Sequence, residues 1–149
     1  MEEKYCVKIT VGLILEKNGK ILLIKRKNTG YMDGMYGFLA GHVEKGESLK
    51  QAMVREANEE GGIKLKEEDL EFVCGIRSNE EYINFFFKTD KYKGDLKIKE
   101  PDKCEEMIWV DIDKMPSNTI PNEKRAVSNY LHKVYFDEYN FQGATIWMK

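Results

Sequence analysis

The sequence predicts one α/β domain spanning residues 1–149. Three observations predict it. Strand-type runs lie on both sides of a capped helical segment, a second helical pattern follows near the C-terminus, and no repeat, low-complexity tract or linker divides the chain. The length suffices to bury a sizeable core.

The elements follow in order. "KYCVKITVGLILEKNGKILLIKRK" reads as two β-rich runs joined at Asn18-Gly19, a dipeptide that favours a tight hairpin turn. "NTGYMDGMYG" carries three glycines in ten residues and reads as a flexible loop. Residues 48–60 read as a helix: Ser48 with Gln51 three residues later forms a capping-box pattern, and Gly61-Gly62 supplies a left-handed stop. "EFVCGIR" and "EYINFFFKT" are strand candidates separated by the polar "SNEE". "DKYKGDLKIKEPDKCEE" reads as a long loop, "MIWVDI" as a short strand, and "DKMPSNTIP" is punctuated by prolines. In "NEKRAVSNYLHKVYF" the apolar set Ala126, Val127, Tyr130, Leu131 and Val134 matches helical spacing. The segment 137–149 fits either a final strand or a docked tail.

Composition narrows the function. With 24 basic against 26 acidic residues, the net charge of −2 offers no electrostatic footprint for duplex nucleic acid. Cys6, Cys74 and Cys104 are widely spaced without a C-x-x-C, so neither a disulfide framework nor a zinc site is indicated, and reduced, largely buried thiols are expected. "ITVGLIL" is too short for a membrane span, so the expectation is a cytoplasmic protein without a membrane partner.

The helical segment has an unusual face. At about 100° per residue, Leu49, Ala52 and Met53 share a core-facing stripe, and its continuation is Glu56, Glu59 and Glu60. Those acids also occupy the last turn, where the helix dipole disfavours anions. Arg55, four residues before Glu59, offsets part of the charge. A hard divalent cation would offset more, and oxygen ligands are what Mg²⁺ or Mn²⁺ prefers.

"GHVEKGESLKQAMVREANEEGGI" resembles the Nudix box, G-x5-E-x7-R-E-U-x-E-E-x-G-U with U apolar, through Gly41, Glu47, Arg55, Glu56, Ala57, Glu59, Glu60, Gly62 and Ile63. By chance such a match arises in about one window in 10⁸. The resemblance to MutT-like members of this superfamily extends loosely over residues 5 to about 135. It implies a Nudix-type α/β/α sandwich with a mixed β-sheet, and metal-dependent hydrolysis of a diphosphate bond in a nucleoside diphosphate linked to another group. It further implies Glu56, Glu59 and Glu60 as ligands of Mg²⁺ (or Mn²⁺), the Ala40 carbonyl as a further ligand, and Glu47 pairing with Arg55 to brace the loop against the helix. Glu100 stands roughly where some members bring a further acid, with Glu105 and Glu106 as close competitors. Glu56 is the first candidate general base and Glu100 the second. Where many members read Pro-Gly-Gly, this chain has "FLAGHVE", with His42 as a loop residue or a ligand contact.

Substrate choice lies outside the box. No proline stands about fifteen residues past it, as an ADP-ribose enzyme would suggest. Tyr82 lies near the spacing of dinucleoside-polyphosphate hydrolases but reads more simply as a packed strand tyrosine. The remaining expectation is a nucleoside triphosphate, standard or oxidised. Arg26, beside Lys25 and Lys27, is a candidate phosphate contact. Asn118 in "MPSN" is either a base-reading amide or ordinary turn chemistry. Tyr31, Tyr36, Phe38 and Phe86 could stack a base, with core packing the default for each. A non-catalytic nucleotide-sensing module is the competing class, disfavoured because every box acid is present. The resemblance leaves monomer and homodimer both open.

Overall fold

The computed structural model describes residues 3–139. Hydrophobic alternation in β1 (Lys8–Lys17) and β2 (Lys20–Arg26) sets the plan. Both strands are apolar on two faces, so both faces must be covered. Val11, Leu13, Leu15, Leu22 and Ile24 enter one core cluster, while Ile14, Ile21 and Leu23 enter the other. The two strands form the expected hairpin, with Asn18 and Gly19 at φ 53° and 76°.

The remaining elements are β3 (Tyr36–Gly37), β4 (Leu39–His42), α1 (Leu49–Gly61), a short 3₁₀ turn at Glu67–Asp69, β5 (Glu71–Arg77), β6 (Tyr82–Thr89), β7 (Cys104–Asp111), α2 (Pro121–His132) and β8 (Phe136–Glu138). The eight-stranded sheet is mixed: β1 runs parallel to β6 and β5 parallel to β8, and the other pairs are antiparallel. α1 covers one face and α2 the other, giving the α/β/α sandwich that the resemblance implied.

One irregularity of pairing positions the site. β1 bonds to β2 only at its far end, through Glu16–Ile21 and Lys17–Lys20. Further back the same edge of β1 takes β4 instead, while β2 takes β3. Residues 36–42 therefore cross from one leaf of the sheet to the other where the leaves part, and α1 packs on β4 just beyond.

α1 starts and stops as the sequence indicates. Ser48 accepts from the Gln51 amide and Gln51 accepts from that of Ser48, at 3.0 and 2.8 Å. Gly62, at φ 71°, ends the helix with its amide on the Asn58 carbonyl.

Several expectations require correction. β7 begins at Cys104, inside the segment read as a loop, because Cys104 and Glu106 complete the ladder on Arg26 and Lys25. α2 ends at His132, with Lys133 left-handed at φ 56°, so Val134 lies beyond the helix, and both it and Leu131 are exposed. Only Ala126 and Val127 of that apolar set are buried in the core, with Tyr130 packed against it. Cys6 is exposed, whereas Cys74 and Cys104 are buried. Of the C-terminal segment, Asp137 and Glu138 join β8, a final strand, and residues 140–149 lie outside the described residues. No helix among the described residues is long and apolar enough to cross a membrane.

Candidate active site

The site is assembled from the last two turns of α1, the strand β4 beneath it and the loop that leads into β7. Glu60 reaches back to β4, where the Ala40 amide donates to it at 2.7 Å. Burial pushes its pKa up to about 8, and the charges of Glu56 and Glu100 push in the same direction. Glu56 is raised too, by burial first, against the lowering effect of Arg55. Its carboxyl lies over Gly41: a Cβ there would stand 2.1 Å from the Glu56 Cδ. The first glycine of the motif is thus the floor on which Glu56 rests.

Arg55 ties the constellation together. Its Nε and Nη2 hold the two oxygens of Glu47 at 2.7 and 2.9 Å, a bidentate pair. Nη2 also donates to the His42 carbonyl at 2.9 Å, and Nη1 to Glu56 at 2.8 Å. The Arg55 pair holds the Glu47 carboxyl down at about 2. The guanidinium therefore links the loop before α1 to the helix itself.

Glu59 departs from the expected stripe. Its side chain is 54% exposed and pairs with Arg55 Nη1 at 3.3 Å, while that of Glu56 is 14% exposed. It lies on the flank of α1 beside Arg55, one turn earlier, not on the buried face with Glu56. Among the described residues no three acidic, histidine or cysteine side chains converge on one point. The donor set nonetheless suits a divalent cation. Glu56, Glu60 and Glu100 are hard oxygen donors, and the Glu100 charge raises the proton affinity of both Glu56 and Glu60, which a bound cation would relieve. Rotation of Glu59 off Arg55 would add a fourth.

The three competing acids beyond α1 separate. Glu105 pairs with Lys25 at 3.5 Å and Glu106 accepts from the Tyr36 hydroxyl at 3.0 Å. Glu100, in a looser pair with Lys103 at 3.8 Å, is the one whose charge acts on Glu56 and Glu60.

Arg26 leaves the end of β2 toward the same region. The 27–35 loop fixes it, with Nε donating to the Tyr31 carbonyl at 2.7 Å and Nη2 to Thr29 at 3.0 Å. Its charge lowers the proton affinity of both Glu60 and Glu123. Lys25 is committed to Glu105, and Lys27 is exposed. Asn118 is exposed and donates to the Gly34 carbonyl at 3.1 Å, pinning the loop. Phe38 and Phe86 meet edge to face at 5.9 Å in the core, whereas Tyr31 is half exposed. His42 and Tyr82 face each other with ring centroids 5.7 Å apart, beside a groove of about 300 Å³ formed with Val7, Lys8 and Glu44. Glu123, half-buried at the start of α2, was not singled out from sequence. Its only signal there is an acid in the first helical turn, where acids are common.

Known proteins share this fold. The NUDIX domain family model matches residues 7–131. The chain is 34% identical over 129 residues to an ADP-ribose pyrophosphatase of Methanocaldococcus jannaschii, covering 83% of this chain and 72% of that protein. It is 27% identical to an 8-oxo-dGTP diphosphatase of Buchnera aphidicola subsp. Schizaphis graminum, covering 86% and 95%. NAD-capped RNA hydrolases match as well, but the chain spans less than half of their length. Among solved structures, a MutT NUDIX hydrolase from Burkholderia pseudomallei superposes with a TM-score of 0.76 at 26% identity, covering 83% of this chain and 98% of that one. The chain belongs to the Nudix hydrolase family. It is a hydrolase of nucleotides that contain a diphosphate linkage, in a family that generally uses divalent metal ions.

Proposed function

We propose that the protein is a Mg²⁺- or Mn²⁺-dependent pyrophosphohydrolase that converts a nucleoside triphosphate to the monophosphate and pyrophosphate. The observation that carries this reading is the pair Glu56 and Glu60, two largely covered carboxyls on successive turns of α1 whose proton affinity is raised first by burial and then by neighbouring carboxylates, Glu100 acting on both. Such a pair is costly without a cation and suited to one.

Glu56, Glu60 and Glu59 would hold the cation, with Glu100 and the Ala40 carbonyl completing its shell. The cation, when bound, neutralises phosphate charge and lowers the pKa of an attacking water. Glu56 is the favoured base for that water and Glu100 the second, since each is close enough to the cluster to take its proton. Arg55 and Glu47 keep α1 in register with the Gly41 loop, so the carboxylates stay aimed at β4. Arg26 draws the phosphates toward the cluster.

A second reading has its own support. The groove beside His42 and Tyr82 could take a further group on a nucleoside diphosphate, and the relative from M. jannaschii is an ADP-ribose pyrophosphatase. Release of phosphate and pyrophosphate from standard and oxidised triphosphates, ADP-ribose and a dinucleoside polyphosphate, with and without Mg²⁺ or Mn²⁺, decides between them. Metal-dependent pyrophosphate release from a triphosphate is the expected result. Turnover confined to ADP-ribose would favour the second reading, and silence across the panel would overturn both.

A further inference from the structure

The last carbonyls of an α-helix have no partner within the helix and must find one elsewhere. In α1 the Gly62 amide takes the Asn58 carbonyl, which leaves those of Glu60 and Gly61 for other groups. Both are taken by one segment, the chain between β6 and β7. Lys97 donates its amide to the Gly61 carbonyl at 3.0 Å, and Lys99 donates to that of Glu60 at 3.2 Å. Lys93 and Lys64 exchange amide-to-carbonyl bonds at 3.0 and 2.8 Å, so the same segment begins against the chain just past the helix. Leu96 and Ile98, alternating with the lysines, pack on the core cluster that α1 covers. Residues 93–99 therefore lie as a strap across the C-terminal end of α1.

Two glycines allow the close approach. Gly94, at φ 93°, is left-handed, and a Cβ on it would stand 3.2 Å from the Gly62 carbonyl oxygen. The stems of Lys97 and Lys99 in turn lie 3.4 Å from where a Cβ on Gly62 would be. A side chain at Gly94 would strain the turn and press the strap away from the helix. Gly62 belongs to the motif of α1, whereas Gly94 lies far outside it.

The strap carries Glu100. This acid follows Lys99 directly, one residue from the amide bound at Glu60. Its own carbonyl accepts the Lys103 and Cys104 amides, both at 2.9 Å, which fixes the turn into β7. Glu100 is thus held from both sides, and its charge raises the proton affinity of Glu56 and Glu60.

We propose that Gly94 is a positioning residue: by letting residues 93–99 lie close on the end of α1, it sets Glu100 at the cation cluster of Glu56 and Glu60. The role presupposes the metal-dependent reading above and supplies what brings the distant acid to that cluster. It passes through Glu100, because Gly94 has no side chain to offer a ligand.

The test is calorimetric Mn²⁺ binding to the substrate-free protein, with turnover and thermal midpoints measured alongside. The variants are Gly94→Ala, Gly94→Asn, Glu100→Gln, Gly94→Ala with Glu100→Gln, and Gly19→Ala. Gly19 is the control: it is left-handed at φ 76° in the β1–β2 turn, with nothing within 4 Å of its missing side chain. Groups that orient metal ligands are worth about ten- to a hundredfold in affinity. Gly94→Ala should weaken Mn²⁺ binding about tenfold and lower kcat with little change in KM. In the Glu100→Gln background the same substitution should change neither further, since residues acting as a unit are not additive. Gly94→Asn tolerates the left-handed turn but keeps the Cβ, so it should lose Mn²⁺ affinity at a smaller cost in midpoint. Both Gly→Ala variants should melt about 4 °C lower, yet Gly19→Ala should bind Mn²⁺ and turn over as wild type does. Wild-type Mn²⁺ affinity in the Gly94 variants, an equal fractional loss with and without Glu100, or a Glu100→Gln variant that binds Mn²⁺ as wild type overturns the inference. A wild type that binds Mn²⁺ but cleaves no nucleotide overturns the substrate reading, and the binding cycle then decides the role of Gly94 by itself. A wild type that binds no Mn²⁺ overturns the metal reading and this inference with it.

Discussion

Gly41→Ala isolates the geometry on which hydrolysis depends. Gly41 is absent from the positive-φ glycines, so its backbone suits any residue and strain is not the issue. Space is. An added Cβ would stand 2.1, 2.2 and 2.5 Å from Cδ, Oε1 and Oε2 of Glu56, where an ordinary contact needs about 3.5 Å. The carboxyl must move by about 1.4 Å, the difference between the required and observed separations to Cδ, and so leaves its place beside Arg55 and Glu60. Because the obstacle is the end of a flexible side chain, the fold yields cheaply and the thermal midpoint should fall by only about 2–4 °C, equivalent to about 1 kcal/mol. Turnover should not yield cheaply: a misplacement of about 1 Å in a catalytic group costs about a hundredfold, or about 2.7 kcal/mol of barrier. Steady-state pyrophosphate release at saturating Mg²⁺, measured with a melting curve on the same preparation, reads both quantities. Turnover within about threefold of wild type, with the midpoint lowered as expected, would refute the placement of Glu56 at the reaction centre.

Further outcomes follow from the same geometry. Glu60→Gln and Glu59→Gln should each lower turnover by at least about a hundredfold with circular dichroism unchanged, and near-normal rates in both would remove them from the metal site. Arg55→Lys keeps the charge but cannot hold both Glu47 oxygens and the His42 carbonyl together, so about a tenfold loss of kcat and a lowered midpoint are expected; a variant as active as wild type would show the clamp to be dispensable. In chelator, stability should fall as pH rises from about 5 to 8. Glu60 and Glu123, with folded values about 8 against an ordinary 4.5, hold protons that the unfolded chain has released, and so favour folding less as pH climbs. Glu47, held down at about 2, acts only at the acid end, where its contribution is lost as pH falls. Mg²⁺ should raise the melting midpoint more at pH 8.5 than at pH 6, and a midpoint in chelator that climbs through this window would contradict the assigned shifts.

What the sequence determined by itself was local. The Asn18-Gly19 turn, the Ser48–Gln51 capping box and the Gly62 stop are contacts within a few residues, fixed by backbone geometry and short-range hydrogen bonds. The order of box residues likewise made the Arg55–Glu47 pair legible, because one helix and its preceding loop place them together. Tertiary structure decided the rest. That Glu56 rests on Gly41, that Glu60 bonds to Ala40, and that Glu100 rather than Glu105 or Glu106 shares their field all depend on β4 pairing with β1 while β7 pairs with β2. Helical spacing put Glu59 on the inner face, whereas the structure leaves it exposed on the flank of α1 in a pair with Arg55, a margin of the helix that a coarse periodicity does not resolve. Glu123 lies more than sixty residues from the α1 carboxylates in sequence and meets Gly37 only because α2 packs across the sheet. Burial, which sets the proton affinity of both Glu60 and Glu123, is a property of the assembled layers and belongs to no segment alone.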